Sequence, residues 1–194
     1  WKVEIRRVAG AAGEQAPAEA LGCCGHPTGG SHGHAHQHAH AGPPTQVLKD
    51  EHPLILQALD ALERKIAALE AGAAPDRTYF EKAVQFLRTF ADQCHHGKEE
   101  NLLFKTMVDQ GFPLQGGPIA VMLSEHETGR FFIRGLAEGA AGIGQDPAAA
   151  QQIIQNGRGY IRLLRAHIDK ENTILFPMAD SVLSPQDQAY LEKE

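Results

Sequence analysis

The sequence predicts an all-α protein built on an up-down-up-down four-helix bundle, and three observations support this fold class. From residue 45 onward, apolar residues recur at intervals of three and four, the period of an amphipathic helix. No alternating, strand-like pattern interrupts that region. Capping residues, prolines and glycines divide it into four long segments with short connections. With 194 residues, the chain has room for one such domain and an additional segment.

The first helix is predicted over residues 45–69. Its apolar positions step by four and three along one face, namely Ile55, Leu59, Leu62, Ile66 and Leu69. Three residues before Ile55, the same face carries His52. Pro53 is expected to bend or restart this helix near its first turns.

The second helix is predicted over residues 76–109. Asp76 follows a proline and is a suitable N-cap, and Gly111 marks the end. The inward face is predicted to carry Phe80, Val84, Leu87, Ala91, His95, Glu99 and Leu102.

The third helix is predicted to begin at Pro118, after two glycines, because proline suits the first helical position. It is expected to end in the glycine-rich stretch 139–144. Its inward face carries Ile119, Met122, His126, Ile133 and Leu136.

The fourth helix is predicted to begin at Asp146 and Pro147, which form a cap followed by a proline. Its inward face reads Ile153, Gly157, Tyr160, Leu164, His167, Glu171, Ile174 and Met178. The bundle is therefore predicted to span residues 45–183. A short C-terminal helix is predicted over 184–194, after Ser184 and Pro185.

Residues 9–44 have the composition of a disordered linker, since 27 of these 36 residues are alanine, glycine, histidine or proline. Six histidines lie in this segment, and those from His32 to His40 alternate with other, mostly small residues. The six are His26, His32, His34, His36, His38 and His40. Such a run can chelate zinc, nickel or copper. It is therefore predicted to be either a low-affinity metal reservoir or sensor, or a solvated spacer.

Residues 1–8 alternate apolar and polar side chains in the manner of a strand. They resemble the closing strand of a small sulfur-carrier-like α/β domain, of a type that occurs fused to helical domains like the one predicted over residues 45–183. A frayed N-terminus is the alternative. Because the chain opens with Trp1 and shows no secretory leader, it is expected to be a fragment or a processed product.

Charge and composition argue against several classes of function. Eighteen Lys and Arg against 24 Asp and Glu give a net charge of −6, so no basic excess is available for nucleic acid. The apolar runs are far shorter than the ~20 residues of a membrane span. Three cysteines, two of them adjacent, do not form a disulfide framework, which predicts a reducing, cytoplasmic location.

Six polar residues occupy inward positions of the predicted helices where apolar residues are expected. They are His52, His95, Glu99, His126, His167 and Glu171. The second and fourth helices each carry histidine and glutamate four residues apart, so both side chains point to one place. Buried carboxylates that face each other without a cation are costly. The pattern therefore predicts two metal ions, with each glutamate bridging them.

Ligand chemistry narrows the choice of metal. Imidazole with carboxylate, and no thiolate, suits iron, manganese or zinc. Two bridging carboxylates with histidine ligands favour a pair of irons. This nitrogen-rich set also favours reversible binding of a small diatomic ligand over strong oxidation chemistry.

Residues 45–180 resemble a hemerythrin-like domain of the HHE cation-binding type. The motifs that carry the resemblance are LKDEH, CHHGKEENLLF, LSEHETGR and AHIDKENTILFP. The resemblance implies a non-haem centre of two iron ions with carboxylate bridges and an oxo or hydroxo bridge. It also implies roles in oxygen binding or sensing, in nitric oxide response, or in repair of damaged iron centres.

The chain departs from the oxygen carriers of this family at one ligand. Those proteins have a further histidine four residues after the one on the third helix, and here that position is Arg130. His96 is an additional candidate ligand, because related modules use a ligand at the position after His95. Tyr79 is a weaker candidate.

The leading hypothesis is a di-iron protein that binds or senses O2 or a related small oxidant, such as nitric oxide or peroxide. A fused or partner signalling domain and a homodimer are compatible with it. The second hypothesis is turnover of peroxide or nitric oxide, or iron-centre repair, favoured by Arg130 in place of a ligand; whether the protein is an enzyme stays open. The third is metal storage or handling that uses the histidine-rich tail.

Overall fold

A computed structural model describes residues 43, 45–184, 186–187 and 190–191. All regular structure within these residues is helical, and no strand occurs among them. The strand predicted over residues 1–8 lies outside the described part of the chain. So does the linker predicted over 9–44, apart from Pro43.

The helices form four rods. The first rod is α1, Gln46–Glu70. The second consists of α2, Arg77–Phe86, two π-helical stretches, Leu87–His96 and Glu99–Leu103, and α3, Phe104–Asp109. The third is α4, Pro118–Gly142. The fourth consists of α5, Ala149–Lys170, a π-helical stretch, Glu171–Leu175, and α6, Phe176–Val182.

The rods pack side by side as an up-down-up-down bundle, which confirms the predicted fold. Helix α5 packs against both α1 and α4, and α2 packs against α4. Short connections between consecutive rods make neighbours antiparallel. None of the described helices is both long enough and apolar enough to cross a membrane.

Local signals explain where the rods begin and end. The Asp76 carboxylate accepts a hydrogen bond from the Tyr79 amide at 3.0 Å and caps α2. Pro118 occupies the start of α4. Ser184 and Asp187 bond reciprocally after the fourth rod, and residues 186–187 and 190–191 are helical there.

Helix α1 runs through Pro53 without interruption, so the predicted restart does not occur. Proline cannot donate a backbone hydrogen bond, and the Lys49 carbonyl loses its usual intrahelical donor. Buried neighbours on either side, Leu48 and Ile55, hold the helix in the bundle.

The apolar core has two parts, with the polar residues between them. One part includes Ile55, Ala91, Ile133 and Leu164. The other consists of Leu48, Leu103, Phe104, Met107, Ile119, Met122, Leu175, Phe176, Ala179 and Leu183. In every rod, the predicted site residues fall between residues of the first part and residues of the second.

The π-helical stretches shift the inward face by one residue beyond each glutamate. Leu103 is buried where Leu102 was predicted, because a π-helical turn holds more residues than an α-helical turn. In the fourth rod Leu175 is 1% exposed, whereas the predicted Ile174 is 51% exposed. Ala179 likewise replaces Met178 in the core. The other predicted inward residues of α1 and α4 are buried as expected.

Candidate metal centre

Seven polar side chains meet in the middle of the bundle, each no more than 3% exposed. They are His52, His95, His96, Glu99, His126, His167 and Glu171. The structure therefore brings together all six residues predicted at inward positions, and His96 with them.

Four of the histidines form two pairs that face each other through Nε2. In the first pair, the Nε2 atoms of His52 and His95 are 3.2 Å apart. In the second, those of His126 and His167 are 3.1 Å apart. Two nitrogens each about 2.1 Å from one cation, at a right angle to each other, lie about 3.0 Å apart. Both pairs thus have a spacing suited to shared metal ligation.

Glu171 and Glu99 connect the two pairs. Glu171 places Oε2 3.2 Å from His52 Nε2 and Oε1 2.9 Å from His167 Nε2. Glu99 places Oε1 3.7 Å from His95 Nε2 and Oε2 3.4 Å from His126 Nε2. Each carboxylate therefore touches one histidine of each pair, which is the arrangement required to bridge two ions.

The donor atoms fall into two groups, and the two carboxylates have no hydrogen bond to either. All four carboxylate oxygens of Glu99 and Glu171 are buried without a hydrogen bond, although imidazole nitrogens lie close by. The candidate ligands form two groups whose donor atoms lie within 4.8 Å of one another. The first group is His96, Glu99, His126 and His167, and the second is His52, His95, Glu99 and Glu171. Because unpaired buried carboxylates are costly, the donor set fits two cations.

The pKa values of the site's own side chains point to the same need for a cation. Burial raises the pKa of Glu99 well above its usual range, and the negative charge of Glu171 raises it further. Contacts with His167 and His52 outweigh burial at Glu171 and hold its pKa low. Burial also lowers the pKa of His126 to about 3 and that of His96 to about 4. These two imidazoles are therefore neutral near pH 7, the form that binds metal.

One histidine of each facing pair is oriented by a glutamate that also contacts a lysine. His95 Nδ1 lies 2.9 Å from Glu51 Oε2, and Lys98 contacts the other oxygen of Glu51. On the opposite side of the centre, His167 Nδ1 lies 2.9 Å from Glu125 Oε2, and Lys170 contacts Glu125. A carboxylate that accepts a hydrogen bond from Nδ1 leaves Nε2 as the nitrogen that can bind a metal. Contacts with Glu171 and Glu125 outweigh burial and raise the pKa of His167, whereas burial lowers the pKa of His95.

The remaining two histidines are oriented by different acceptors. His52 Nδ1 lies 3.0 Å from the amide oxygen of Asn172. His126 Nδ1 lies 2.7 Å from Glu100 Oε1. All four paired histidines thus have an acceptor that fixes the ring and its tautomer.

The centre has an approximate two-fold repeat that is also present in the sequence. A Glu-His step occurs at 51–52 and at 125–126, and His-x-x-Lys-Glu occurs at 95–99 and at 167–171. Sequence reasoning did not identify Glu51, Lys98, Glu125 and Lys170. The signal that could have found them is this repeat, since the same neighbours flank the ligand positions twice.

His96 breaks the repeat, because its counterpart in the fourth rod is Ile168. The His96 ring stacks on His126 with centroids 3.9 Å apart and an interplanar angle of 12°. Neither ring nitrogen of His96 has a hydrogen-bond partner. A buried imidazole without a hydrogen bond, beside Glu99 and His126, is suited to metal ligation.

Arg130 is engaged by three carboxylates. Its guanidinium contacts Asp92 at 2.8 Å, Glu100 at 2.7 Å and Glu127 at 2.6 Å. Tyr79 lies 16 residues before His95 on the same rod and packs on Phe80. The structure therefore leaves Tyr79 out of the centre.

Comparisons with known proteins agree with this geometry. The family model for the hemerythrin HHE cation binding domain matches residues 43–179. The uncharacterized proteins Rv1995 of Mycobacterium tuberculosis and Mb2018 of Mycobacterium bovis are each 26% identical over 138 residues, 71% of this chain. The chain spans 53% of the length of these curated relatives. No solved structure matches the chain significantly. The family match spans the whole buried centre, and the chain belongs to the hemerythrin HHE cation-binding family.

Proposed function

We propose that this protein holds two iron ions at the buried centre and uses them to bind or sense O2 or a related small oxidant. One observation carries the proposal. Glu99 and Glu171 each reach a histidine of both pairs, and their oxygens have no hydrogen-bond partner. Such carboxylates can bridge two cations.

The two proposed metal positions differ in how many nitrogen ligands they have. His96, His126 and His167 serve the first position, and His52 and His95 serve the second. Glu99 belongs to both groups, and Glu171 contacts a histidine on each side. Nitrogen and carboxylate donors suit iron, although they also suit manganese and zinc.

When bound, iron supplies a reversible redox couple and a position for a small exogenous ligand. The chain's own residues provide a buried, apolar cover. Phe176 stacks on His52 with centroids 5.6 Å apart, and Phe104 stacks on His126 at 6.0 Å. Both phenylalanines are no more than 2% exposed. An apolar cover of this kind favours small uncharged ligands such as O2 and nitric oxide over larger or charged ones.

The proposal is tested by spectroscopy on protein of known metal content. The purified chain should contain two irons, and after anaerobic reduction it should develop a visible band on exposure to O2 or nitric oxide. A band that reverses under vacuum supports ligand binding. Fewer than two metals per chain, or a colourless protein loaded with zinc, would contradict the proposal. Asp169→Asn is a suitable control, because this exposed carboxylate lies two residues from His167 but outside the centre.

Turnover of peroxide or nitric oxide is a second candidate function, favoured by Arg130. This residue stands where the oxygen carriers have a histidine, and it is engaged by carboxylates. Sustained consumption of peroxide or nitric oxide by the iron-loaded protein would support it. Oxidation once per centre, without turnover, would contradict it.

A further inference from the structure

The two halves of the centre share most of their supporting contacts. Glu51 with Lys98 supports His95, and Glu125 with Lys170 supports His167, at the same distance of 2.9 Å. These contacts have the same geometry at the two metal positions. The two positions differ most clearly at residues where the approximate repeat is broken.

The repeat is broken at His96, whose counterpart is Ile168, and at the side chains that accept a hydrogen bond from Nδ1 of His126 and of His52. Glu100 and Asn172 each follow a candidate bridging glutamate, so they are equivalent in the repeat. Glu100 accepts from His126 at 2.7 Å, and Asn172 accepts from His52 at 3.0 Å. A carboxylate acceptor raises the basicity of the imidazole more than a neutral amide does.

Arg130 keeps the Glu100 side chain in this role. Its Nη2 lies 2.7 Å from Glu100 Oε1, the same oxygen that faces His126. The guanidinium also contacts Asp92, whose carboxylate lies 3.7 Å from His96 Nδ1. One arginine thus fixes the surroundings of both His126 and His96.

We infer that Glu100, together with the third imidazole His96, makes the metal position beside His126 the tighter of the two, so that the centre fills and empties in a fixed order. This inference rests on the proposed two-metal function. Glu100 and Asn172 act through His126 and His52, and they are positioning residues. The position of His96, His126 and His167 is occupied first and released last. The position of His52 and His95 is the exchangeable one.

The chain offers isosteric variants that change the two acceptors in opposite directions. Glu100→Gln removes the carboxylate beside His126, and Asn172→Asp introduces one beside His52. Glu127→Gln is the matched control, because Glu127 contacts Arg130 at 2.6 Å and no hydrogen bond links it to a histidine of the centre. All variants keep the N-terminal segment, so any metal held there contributes equally.

The experiment is chelator competition on the full chain loaded with Co²⁺, followed by visible absorption and by the shifted proton signals of the ligating imidazoles. His52→Ala identifies the signals of the second position. The wild-type protein should lose cobalt in two phases, with the second-position signals disappearing first. In Glu100→Gln, the late phase of cobalt loss should need about 10-fold to 100-fold less chelator than in the wild-type protein, which brings it closer to the early phase. The proton signal of His126 should also shift. Asn172→Asp should move the early phase toward the late one.

Three results would overturn the inference. One is Glu100→Gln behaving like Glu127→Gln, and another is both phases moving by the same factor. A wild-type chain that retains two cobalt ions but releases them in a single phase would also contradict it, while leaving the two-metal centre intact. Failure to hold two ions at all would instead contradict the proposed function, and the inference with it.

Discussion

The Nε2 atoms of His126 and His167 lie 3.1 Å apart, although the two residues come from different helices, α4 and α5. Glu171 Oε1 lies 2.9 Å from the same His167 nitrogen. Three donor atoms from two rods thus meet at a point that is shielded from solvent. The close approach depends on the bundle, since no single helix supplies all three.

Replacing His167 with alanine should therefore remove most of the bound metal. The substitution deletes a donor of the first position and the imidazole that Glu171 contacts. Metal per chain, measured by elemental analysis, should fall well below that of the wild-type protein. Asp169→Asn, on the exposed side of the same helix, should keep full metal content. Two metals per chain in His167→Ala would show that the ligands are assigned wrongly.

The Lys–Glu pairs should contribute to metal affinity from outside the ligand set. Glu125→Gln removes the ionised acceptor of His167 Nδ1, and Lys170→Met leaves Glu125 without its cation. Each change should weaken metal binding by about 10-fold to 100-fold. Chelator competition measures the effect. Lys82→Met, at an exposed lysine of α2, should change nothing. Equal affinities for all three variants would contradict a role for these pairs.

The inward-facing polar residues could be predicted from the sequence because periodicity alone reveals them. His52 and His126 stand one turn from buried apolar residues on the same face, so their burial follows from helix geometry. The four-residue spacing of an α-helix likewise predicts that Glu99 and Glu171 lie beside His95 and His167. The repeated spacing then required the two carboxylates to meet in the core.

Other features depend on the tertiary structure and escaped prediction. The π-helical stretch Glu171–Leu175 moved burial from Ile174 to Leu175, and a constant helical period cannot anticipate that shift. The pairing of His126 with Glu100, and of His52 with Asn172, joins side chains of different rods. Only the packed bundle defines those contacts.

The metal-free protein should reveal His96 through its pH dependence. Burial lowers the pKa of His96 to about 4, whereas the unfolded chain has the ordinary value near 6.5. Between pH 6.5 and 4, the unfolded state therefore binds a proton at this residue that the folded state does not. His96 thus lowers the free energy of unfolding as the pH falls, by about 1.4 kcal/mol per pH unit.

His96→Gln isolates this contribution, because glutamine does not titrate. Urea unfolding of the metal-free wild-type and variant proteins should be compared at several pH values. The wild-type protein should lose stability relative to the variant as the pH falls below 6.5, and the difference should be constant above pH 7.5. A difference that stays constant down to pH 4 would mean that His96 is not held neutral.

Close packing of α4 against α5 should make Gly139 intolerant of a side chain. A Cβ at Gly139 would lie 2.9 Å from Ile153 Cγ1 and 3.1 Å from the Ala149 carbonyl oxygen. Gly139→Ala should lower the free energy of unfolding by about 1–3 kcal/mol. At Gly97 the nearest atom would be 3.9 Å away, so Gly97→Ala should raise stability by up to about 1 kcal/mol. Chemical unfolding of both variants tests the contrast, and equal effects would contradict it.

Removing residues 1–42 should leave the bundle folded and able to hold its metal. The bundle begins with internal contacts, since the Gln46 amide donates to the Pro43 carbonyl at 2.8 Å. Thr45 is fully buried and donates to the Asp180 carboxylate. The truncation keeps these contacts and all seven residues of the centre. Helicity by circular dichroism and the metal retained after chelation of loosely bound ions should match the full chain. A loss of helicity would show that the N-terminal segment is part of the folded domain.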